Sequence, residues 1–362
     1  MKILFLNTDI GYGGAEKMLV WLANQCAENG HQVTLFTYRN SEVMQPVSSL
    51  VKHVHVQLET VGADISIIKT IFFLHRFIRS EKFNIGVAFL SPSMLRMAMA
   101  SIGTNMKMLF SYRGDPYYSY PHKKIRQKLF GMLNCWAFKQ ANHYVFQTQM
   151  AKNYFCQDIQ SRSTVIPNPI HPLLRTTERA GNIQKTIVTV GRLDIKQKRQ
   201  DILIEAFNSL SNQYPEYDLQ IYGSGEDEAF LRAISSSNEK IKIMGKTSKV
   251  AEVVQNAAVF VLTSDFEGIP NALLEAMSIG VPCVSTDCSP GGAAMLIQDK
   301  VNGLLTPRGD AKKLSQAIIY MLENHVEAEE MALKALQVNV DYAEDRIRKM
   351  WLNVLNTLKQ IS

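Results

Sequence analysis

Short apolar runs alternate with longer amphipathic stretches along almost the whole chain. Residues 2–7 and 33–37 are apolar, and residues 15–29 between them have helical periodicity that ends before Gly30. A strand, a helix and a strand of these lengths predict a βαβ unit in a parallel sheet. Further strands are predicted at residues 54–57, 85–90, 107–111, 143–147 and 164–166, with helices at residues 65–80 and 122–140.

The alternation stops between residues 167 and 184, where Pro167, Pro169 and Pro172 predict a rigid turn followed by a polar linker. It then begins again. Strands are predicted at residues 186–191, 218–222, 240–243, 258–263, 281–285 and 302–305, and helices at residues 199–211, 226–236, 248–256, 271–280, 310–323 and 327–338. A last amphipathic helix is predicted at residues 344–359.

This pattern predicts an α/β protein with two doubly wound, Rossmann-like domains. We expect the two domains to face a central cleft, because ligands of such folds bind at the carboxyl ends of the strands. The linker places the boundary between them, with the second domain at residues 183–343.

The charge of the chain is divided unequally between its halves. The 362 residues are 46% hydrophobic and 20% charged, which excludes a disordered or fibrous chain. The net charge is +6, but residues 1–175 contain 19 basic and 9 acidic residues, whereas residues 176–362 contain 20 basic and 24 acidic residues. The first half, at +10, is expected to face an anionic partner such as nucleic acid, a membrane or a phosphorylated substrate; an uneven, solvated surface is the alternative.

Several kinds of site are not expected. The five cysteines are an odd number without a CxxC pair, which argues against a disulfide framework and structural zinc and favours a reducing cytoplasm. The first apolar run is too short for a signal peptide or a membrane span. Residues 65–78 are more apolar, but Lys69, His75 and Arg76 interrupt them, so this stretch is either a core helix or an interfacial helix.

Two loops have the composition of phosphate-binding segments. Gly13 and Gly14 follow the first strand and precede a helix, where the backbone can approach an anion closely; a tight turn is the alternative. Their surroundings differ from the GxGxxG dinucleotide motif, so a nicotinamide cofactor is not expected. Arg192 and Lys198 follow the first strand of the second domain and can converge on one phosphate group, the alternative being a solvated basic pair.

A third segment combines two acids with the beginning of a helix. Glu267 lies in a loop with Gly268, Pro270 fits the first turn of a helix, and Glu275 lies farther along that helix. The two carboxylates can hold sugar hydroxyls, and the helix N-terminus between them can face a diphosphate. The alternative is an acidic capping loop followed by one Glu at the edge of the core.

Together these loops describe a nucleotide-sugar, with a diphosphate held by Gly14, Arg192 and Lys198 and polyols held by Glu267 and Glu275. In these segments the chain resembles a family 4 retaining glycosyltransferase with the GT-B fold. The resemblance covers nearly the whole chain and rests on GGAEK (residues 13–17), VGRLDIKQKRQDILIEAF (190–207), IYGSGED (221–227), TSDFEGIPNALLEAMSIGVPCVSTD (263–287) and VNGLL (301–305). Residues 113–116, 145–148 and 166–169 resemble the polysaccharide-assembly branch of that family.

The resemblance implies a role for each site residue. Arg192 and Lys198 would neutralise the departing diphosphate, Glu267 would contact the donor sugar, and no metal or other cofactor would be needed. The donor-binding residues would be Gly13, Gly14, Lys246, Gly268, Ile269, Asn271, Ala272 and Glu275. The C-terminal helix would cross back, so that residues 1–172 and 344–362 form the acceptor-binding domain and residues 183–343 the donor-binding domain.

Two positions depart from the family pattern. Many members have a His after the strand that ends here at Ser111, and this chain has Arg113 and Asp115 nearby, which become candidates for the acceptor side. Many members also have a Glu where this chain has Met295, so one acidic contact is missing.

A basic segment of the first half is a candidate for docking to an anionic membrane surface. Lys123, Lys124, Arg126 and Lys128 lie close together in a helical pattern that also has an apolar face. A solvated helix with its apolar side turned inward is the alternative. No recognised nucleic-acid-binding module is present, so nucleic acid is not expected as a partner.

The function predicted from these residues is retaining sugar transfer from a nucleoside-diphosphate sugar, such as UDP-hexose or UDP-N-acetylhexosamine. The acceptor would be a glycan on a lipid carrier, in surface polysaccharide synthesis. The enzyme is expected in the cytoplasm, at the inner face of the cell membrane. The alternatives are a GT-B epimerase acting on a nucleotide-sugar and a non-catalytic two-domain sugar-binding protein.

Overall fold

The computed structural model describes residues 1–11, 13–39, 45–57, 65–119, 125–175, 177, 179–247 and 249–360. The chain divides into two compact units. The first unit comprises Met1–Arg113, Tyr120–Ile166 and Ile347–Ser362, and the second comprises Gly114–Ser119 and Pro167–Arg346.

The first unit contains a seven-stranded parallel sheet with the order β3-β2-β1-β4-β5-β6-β7. Its strands are β1 (Lys2–Asn7), β2 (Gln32–Thr37), β3 (Val51–His55), β4 (Ile85–Ala88), β5 (Lys107–Tyr112), β6 (His143–Phe146) and β7 (Ser163–Val165). The helices along this part of the chain are α1 (Gly14–Glu28), α2 (Ile65–Glu81), α3 (Ser91–Ala100), α4 (Pro116–Ser119), α5 (Ile125–Lys139), α6 (Gln149–Asn153) and α7 (Gln157–Ser161). Among them, α4 groups with the second unit.

The second unit contains a six-stranded parallel sheet with the order β10-β9-β8-β11-β12-β13. Its strands are β8 (Gln184–Val190), β9 (Asp218–Tyr222), β10 (Ile241–Gly245), β11 (Ala257–Leu262), β12 (Cys283–Thr286) and β13 (Leu304–Thr306). The later helices are α8 (Pro172–Arg175), α9 (Gln200–Leu210), α10 (Glu228–Ser235), α11 (Val250–Val254), α12 (Asn271–Ile279), α13 (Gly292–Leu296), α14 (Ala311–Glu323), α15 (His325–Ala335), α16 (Val338–Asp341) and α17 (Glu344–Gln360).

The prediction of two doubly wound α/β units is confirmed. The central strand β1 is buried from Ile3 to Asn7, and a strand covered on both faces gives a continuous apolar run rather than an alternating one. The helix that follows it ends where expected, since Gly30 has a φ of +80° directly after the C-cap residue of α1, Asn29. Glycine adopts this left-handed conformation without a steric penalty, which explains the stop.

Several details of the predicted elements were wrong. The strand expected at residues 54–57 lies instead at Val51–His55. The helices that were not predicted are α3, α4, α6, α7, α8, α13 and α16. Helix α3 is buried on nearly every side, including Arg96, so it lacks the polar face that marks an amphipathic helix. Helix α13 is only five residues long, too short for a helical period to be recognised.

Helix α2 has the buried face expected of a core helix and an exposed apolar face as well. One face is buried at Thr70, Leu74 and Ile78, and these last two belong to the hydrophobic core of the first unit. The opposite face leaves Ile68 72% exposed and Phe72 63% exposed. Within the part of the chain that the structure describes, no helix has the length and apolar character needed to cross a membrane.

Helix α17 completes the core of the first unit, as predicted for the C-terminal helix. The indole of Trp351 is buried and stacks on the ring of Phe89, with a centroid distance of 5.7 Å and an interplanar angle of 21°. The guanidinium of Arg113 lies 4.6 Å from the Phe89 ring and 5.4 Å from the Trp351 ring. The last helix is therefore an integral part of the first unit.

Replacing the buried indole tests this role. We expect Trp351→Ala to lower the free energy of unfolding by about 3–5 kcal/mol, because it removes a large apolar side chain and leaves a cavity. Urea denaturation followed by circular dichroism measures the change. Trp136→Ala is the matched control, since Trp136 of α5 is 39% exposed; an equal loss in both variants would contradict the assignment.

Candidate active site

The order of the second sheet reverses between β8 and β11, which are paired neighbours. Residues 191–199 leave the carboxyl end of β8, and residues 263–270 leave that of β11. Open α/β sheets bind ligands at such a switch point. The structure thus brings three of the predicted site residues, Arg192, Lys198 and Glu267, to one place in the second unit.

The loop after β8 is shaped by a close backbone contact and a turn. A Cβ placed on Gly225 would lie 2.1 Å from the carbonyl oxygen of Leu193, so only glycine fits there. The carbonyl oxygen of Asp194 accepts hydrogen bonds from the N–H groups of Gln197, at 3.2 Å, and Lys198, at 2.7 Å. The turn therefore fixes the backbone from which the Lys198 side chain extends.

The loop after β11 is held against the segment that follows β12. The N–H of Glu267 donates to the carbonyl oxygen of Ser289 at 2.7 Å, and the N–H of Ser289 donates to that of Asp265 at 3.0 Å. A Cβ on Gly292 would lie 1.6 Å from the carbonyl oxygen of Gly268. The main chain around Glu267 is thereby held on both sides.

Lys198 and Glu267 form an ion pair that joins the two loops. Their side chains are 19% and 11% exposed, so the pair is largely withdrawn from water. The hydroxyl of Ser264 donates to Oε1 of the same Glu267 carboxylate at 2.9 Å. Each charged group therefore holds the other in a defined position.

Three further hydrogen bonds connect the loops. The Thr263 hydroxyl donates to the Lys198 carbonyl at 2.7 Å, and the N–H of Asp265 donates to the Gln197 carbonyl at 2.8 Å. The Gln197 amide Nε2 donates to the Phe266 carbonyl at 3.1 Å. Because these bonds involve the main chain of both loops, the loops form one structural unit.

Arg192 is more accessible than Lys198. Its side chain is 62% exposed, and Nη2 lies 3.1 Å from Asp194 Oδ2 and 2.7 Å from Gln197 Oε1. Its own carbonyl oxygen accepts a hydrogen bond from Nε2 of the buried Gln200 at 2.7 Å. The guanidinium is oriented by its own loop yet open to a ligand.

Helix α12 begins directly after this loop with N–H groups that lack helical acceptors. Pro270 occupies its N-cap and makes no side-chain cap, and the first helical bond runs from the N–H of Leu274 to the Pro270 carbonyl at 3.0 Å. The N–H groups of Asn271 and Ala272 precede that bond. They give this end of the helix the partial positive charge that favours an anion.

The other residues predicted in this segment have different surroundings. Ile269 is 5% exposed and packs in the core, so it can offer a ligand only its main chain. Asn271 Oδ1 accepts a hydrogen bond from Asn168 Nδ2 at 2.8 Å. Glu275 lies in α12 and is partly buried. Lys246 is exposed and follows β10, the edge strand two positions from β8.

Gly13 and Gly14 lie in the first unit, at the beginning of α1. A Cβ on Gly13 would lie 1.8 Å from Oε2 of Glu16, so the carboxylate of Glu16 lies close to this end of the helix. Burial raises the pKa of Glu16, and the nearby Asp9 raises it further. The helix N-terminus that was predicted to meet a phosphate thus already faces a carboxyl group of its own chain.

The two acceptor-side candidates both have structural contacts. Arg113 lies against the rings of Phe89 and Trp351, and burial lowers its pKa to about 9. Asp115 is buried, and its Oδ1 accepts a hydrogen bond from the N–H of Tyr117 at 2.8 Å, which caps the short helix α4.

The membrane-docking candidates are only partly described. Lys123 and Lys124 lie outside the described residues, and Arg126 and Lys128 lie in α5, where the structure describes their backbone. Farther along α5, the side chains of three apolar residues are exposed: Met132, Leu133 and Trp136.

Sequence reasoning missed the residues that join the two loops, among them Ser264 and Gln197. The available signal was their position, since Ser264 lies between the end of β11 and Glu267. It also missed an aromatic contact within the second unit, where Tyr118 stacks on Phe266 with a centroid distance of 4.1 Å and an angle of 21°.

Met295, which stands in place of an acid, accepts a hydrogen bond through its carbonyl from the Tyr342 hydroxyl at 3.0 Å.

Two family models match successive parts of the chain. The model described as "Glycosyltransferase Family 4" matches residues 12–172, and the model described as "Glycosyl transferases group 1" matches residues 184–324. A relative from Campylobacter jejuni is 25% identical over 372 residues, which cover 99% of this chain and 99% of that protein. Its name is GalNAc-alpha-(1->4)-GalNAc-alpha-(1->3)-diNAcBac-PP-undecaprenol alpha-1,4-N-acetyl-D-galactosaminyltransferase.

Solved structures share the fold at low sequence identity. Sucrose-phosphate synthase from Thermosynechococcus elongatus superimposes with a TM-score of 0.83 at 17% identity, over 100% of both chains. HepE from Anabaena, solved in complex with UDP-glucose, has a TM-score of 0.76 at 19% identity, again over 100% of both chains. The two family models and the full-length relative show that this chain belongs to glycosyltransferase family 4. The solved structures show that it has the GT-B fold.

Proposed function

We propose that this glycosyltransferase moves a sugar, with retention of configuration, from a nucleoside-diphosphate sugar to a lipid-linked glycan in surface polysaccharide synthesis. The observation that carries the proposal is the pairing of Lys198 with Glu267 at the switch point of the second sheet, beside Arg192 and the N-terminus of α12. This arrangement puts cations and free N–H groups next to a fixed carboxylate, as a diphosphate joined to a sugar requires.

The diphosphate is the leaving group, so the site has to stabilise charge that grows on it. Arg192 can make a forked contact and Lys198 a point contact, and the N–H groups at the beginning of α12 add a partial positive charge. This is electrostatic stabilisation of the kind that often contributes most to catalysis. We therefore propose that the protein's own cations take the role that a metal ion has in other transferases.

The carboxylates serve the hydroxyl groups of the donor. Glu267 lies beside Lys198 and would accept hydrogen bonds from the transferred sugar, and Glu275 would accept them from the ribose. The N–H groups of Gly268, Ile269, Asn271 and Ala272 would contact the diphosphate and the sugar. Gly13, Gly14 and Lys246 complete the proposed set of donor contacts.

Retention requires the acceptor oxygen to attack on the face from which the diphosphate leaves. The bond from the anomeric carbon to the phosphate oxygen breaks, the bond to the acceptor oxygen forms, and the acceptor proton passes to the leaving phosphate oxygen. No side chain has to act as nucleophile in this step. Arg113 and Asp115 stay proposals for the acceptor side.

The proposed classes of donor and acceptor are supported by proteins that are similar to this chain. The Anabaena structure contains UDP-glucose, which favours a UDP-sugar, such as a UDP-hexose or a UDP-N-acetylhexosamine, as donor for this chain. The Campylobacter relative is named for a PP-undecaprenol glycan, which favours a polyprenyl-diphosphate acceptor. An epimerase would change the donor without an acceptor, so a product whose formation needs both separates the two.

A lipid-linked acceptor implies work at a membrane, and we propose that the first unit docks to an anionic surface from the cytoplasm. Exposed apolar side chains on α2, Ile68 and Phe72, share that helix with the exposed basic residues Lys69, Arg76 and Arg79. An apolar face among cations is typical of interfacial helices. The basic segment at residues 123–128 would add to the same attraction.

The lysine proposed to stabilise the leaving group gives the first test of the site. We expect Lys198→Ala to lower kcat/KM for the nucleotide-sugar by about 10²–10³-fold, because one preorganised charge is lost. A radiolabelled transfer assay over a panel of nucleotide-sugars measures it. Lys196→Ala in the same loop is the control, since Lys196 is exposed; near-wild-type transfer by Lys198→Ala would contradict the assignment.

The acid proposed to hold the ribose gives a second test. We expect Glu275→Ala to raise the Kd for UDP by about 10–100-fold, because hydrogen bonds to a charged group contribute about 1.5–3 kcal/mol. Sugar transfer at subsaturating donor should fall in parallel. Isothermal titration calorimetry measures the Kd, with Glu205→Ala on the exposed face of α9 as control. An unchanged Kd would remove Glu275 from the donor site.

Membrane docking can be tested with vesicles. We expect the protein to sediment with anionic vesicles in a salt-sensitive manner, and the quadruple change of Lys123, Lys124, Arg126 and Lys128 to Ser to weaken this binding severalfold. The control has the same change in charge in the second unit, at exposed residues: Lys300, Lys312, Lys313 and Lys334. Equal binding to neutral vesicles, or equal loss in the control, would contradict docking through this segment.

A further inference from the structure

Arg199, the residue after Lys198, has an unusual backbone conformation. Its φ is 49° and its ψ is 43°, in the left-handed region, and it occupies the N-cap of α9. Residues with a Cβ rarely adopt this conformation because the side chain crowds the main chain, whereas glycine adopts it freely. An arginine is unfavourable in this backbone conformation, so any favourable contribution of Arg199 must come from its side chain.

The guanidinium of Arg199 bridges two carboxylates. Nε and Nη2 lie 3.1 Å and 3.0 Å from Oδ1 and Oδ2 of Asp201, and Nη1 lies 3.1 Å from Oδ2 of Asp265. The hydrogen bonds to Asp201, more than the one to Asp265, raise the pKa of Arg199. The forked contact with Asp201 fixes the plane of the guanidinium and thereby directs Nη1 at Asp265.

This second ion pair joins the same two loops as the first one. Arg199 follows Lys198 directly, and Asp265 precedes Glu267 by two residues. The Asp265 main chain is also held, because its carbonyl oxygen accepts a hydrogen bond from Arg308 Nη1 at 3.2 Å. The first ion pair, Lys198 with Glu267, thus consists of residues proposed to contact the donor. The second ion pair joins Arg199 and Asp265, which lie one and two positions away from them in the chain.

We propose that Arg199 is a positioning residue for sugar transfer. Its ion pair with Asp265 sets the separation of the two loops, and so fixes the ammonium of Lys198 and the carboxylate of Glu267 relative to each other. Asp201 acts by orienting the guanidinium. This proposal rests on the proposed function, in which Lys198 and Glu267 contact the donor, but it assigns Arg199 and Asp265 no contact with substrate.

The left-handed backbone at Arg199 allows a glycine substitution that removes the side chain without straining the main chain. Arg199→Gly keeps the conformation of the main chain, relieves the crowding of the Cβ and removes the ion pair. We expect its melting temperature to equal or exceed that of the wild type, while kcat falls by about 10–100-fold, because small misplacements of reacting groups are costly. The KM for the nucleotide-sugar and the Kd for UDP should change little.

The matched control is Lys300→Gly. Lys300 has a φ of 62° and an exposed side chain, so this variant also replaces a left-handed cation by glycine in the second unit. We expect wild-type kcat. Wild-type kcat in Arg199→Gly, or the same loss in Lys300→Gly, would overturn the proposal.

Asp265→Asn tests the other end of the ion pair with a side chain of the same shape. We expect a loss of kcat similar to that in Arg199→Gly, and no further loss in the double variant, because both changes break one interaction. Losses that multiply in the double variant would overturn the proposal. If Arg199→Gly failed to fold, as judged by circular dichroism, wild-type kcat in folded Asp265→Asn would overturn it equally.

The outcome also separates this proposal from the proposed function. Failure of the proposed function appears in the wild type, as an absence of UDP binding and of sugar transfer from every nucleotide-sugar tested. Failure of the positioning role appears as a wild-type kcat in Arg199→Gly, in an enzyme whose wild type is active. A loss of melting temperature that accounts for the loss of kcat would show a merely structural role.

Discussion

The candidate site of the second unit depends on the ion pair between Lys198 and Glu267. The two residues are 69 positions apart in the sequence, and they meet because the loops that carry them leave paired strands. Withdrawing two charges from water costs free energy that only close pairing and further hydrogen bonds offset. The Ser264 hydroxyl supplies one such bond, and main-chain bonds between the loops limit the freedom of both side chains. The result is a cation and an anion held in place before any ligand arrives, which is the condition for effective electrostatic catalysis.

Close backbone contacts also hold each of the two loops against the rest of the second unit. Gly225 approaches the main chain of Leu193, and Gly292 that of Gly268, at distances that exclude a Cβ. Each loop is therefore in close main-chain contact with another segment, and the two loops are hydrogen-bonded to each other. The side-chain ion pairs act within this frame, and Arg199 carries a side chain in a backbone conformation suited to glycine.

Much of the fold could be predicted because a strand buried on both faces, such as β1, is a continuous apolar run, and because Gly30 marks the end of α1. Helix α3 could not be predicted, since a helix buried all round has no polar face. For the site, residue types and loop positions predicted Arg192, Lys198 and Glu267, which the structure brings together in the second unit. The pairing of Lys198 with Glu267 was not predicted, because the order of strands in a sheet is not encoded in any local pattern. The same holds for Arg199 and Asp265, which are 66 residues apart.

Under the proposed function, the ion pair also gives the donor its direction. A diphosphate is attracted to Lys198 and repelled by Glu267, so it has to approach the ammonium from the side away from the carboxylate. Arg192, which is exposed, and the N-terminus of α12 add positive charge to the same loops. Sugar hydroxyls are hydrogen-bond donors and can approach Glu267 at no electrostatic cost. The net charge of −4 on the second half of the chain does not reveal this polarity. The polarity arises from the opposite charges of Lys198 and Glu267, which sum to zero and whose separation is set by the loops. An interaction that fixes that separation therefore acts on the orientation of the donor as well as on the stability of the loops.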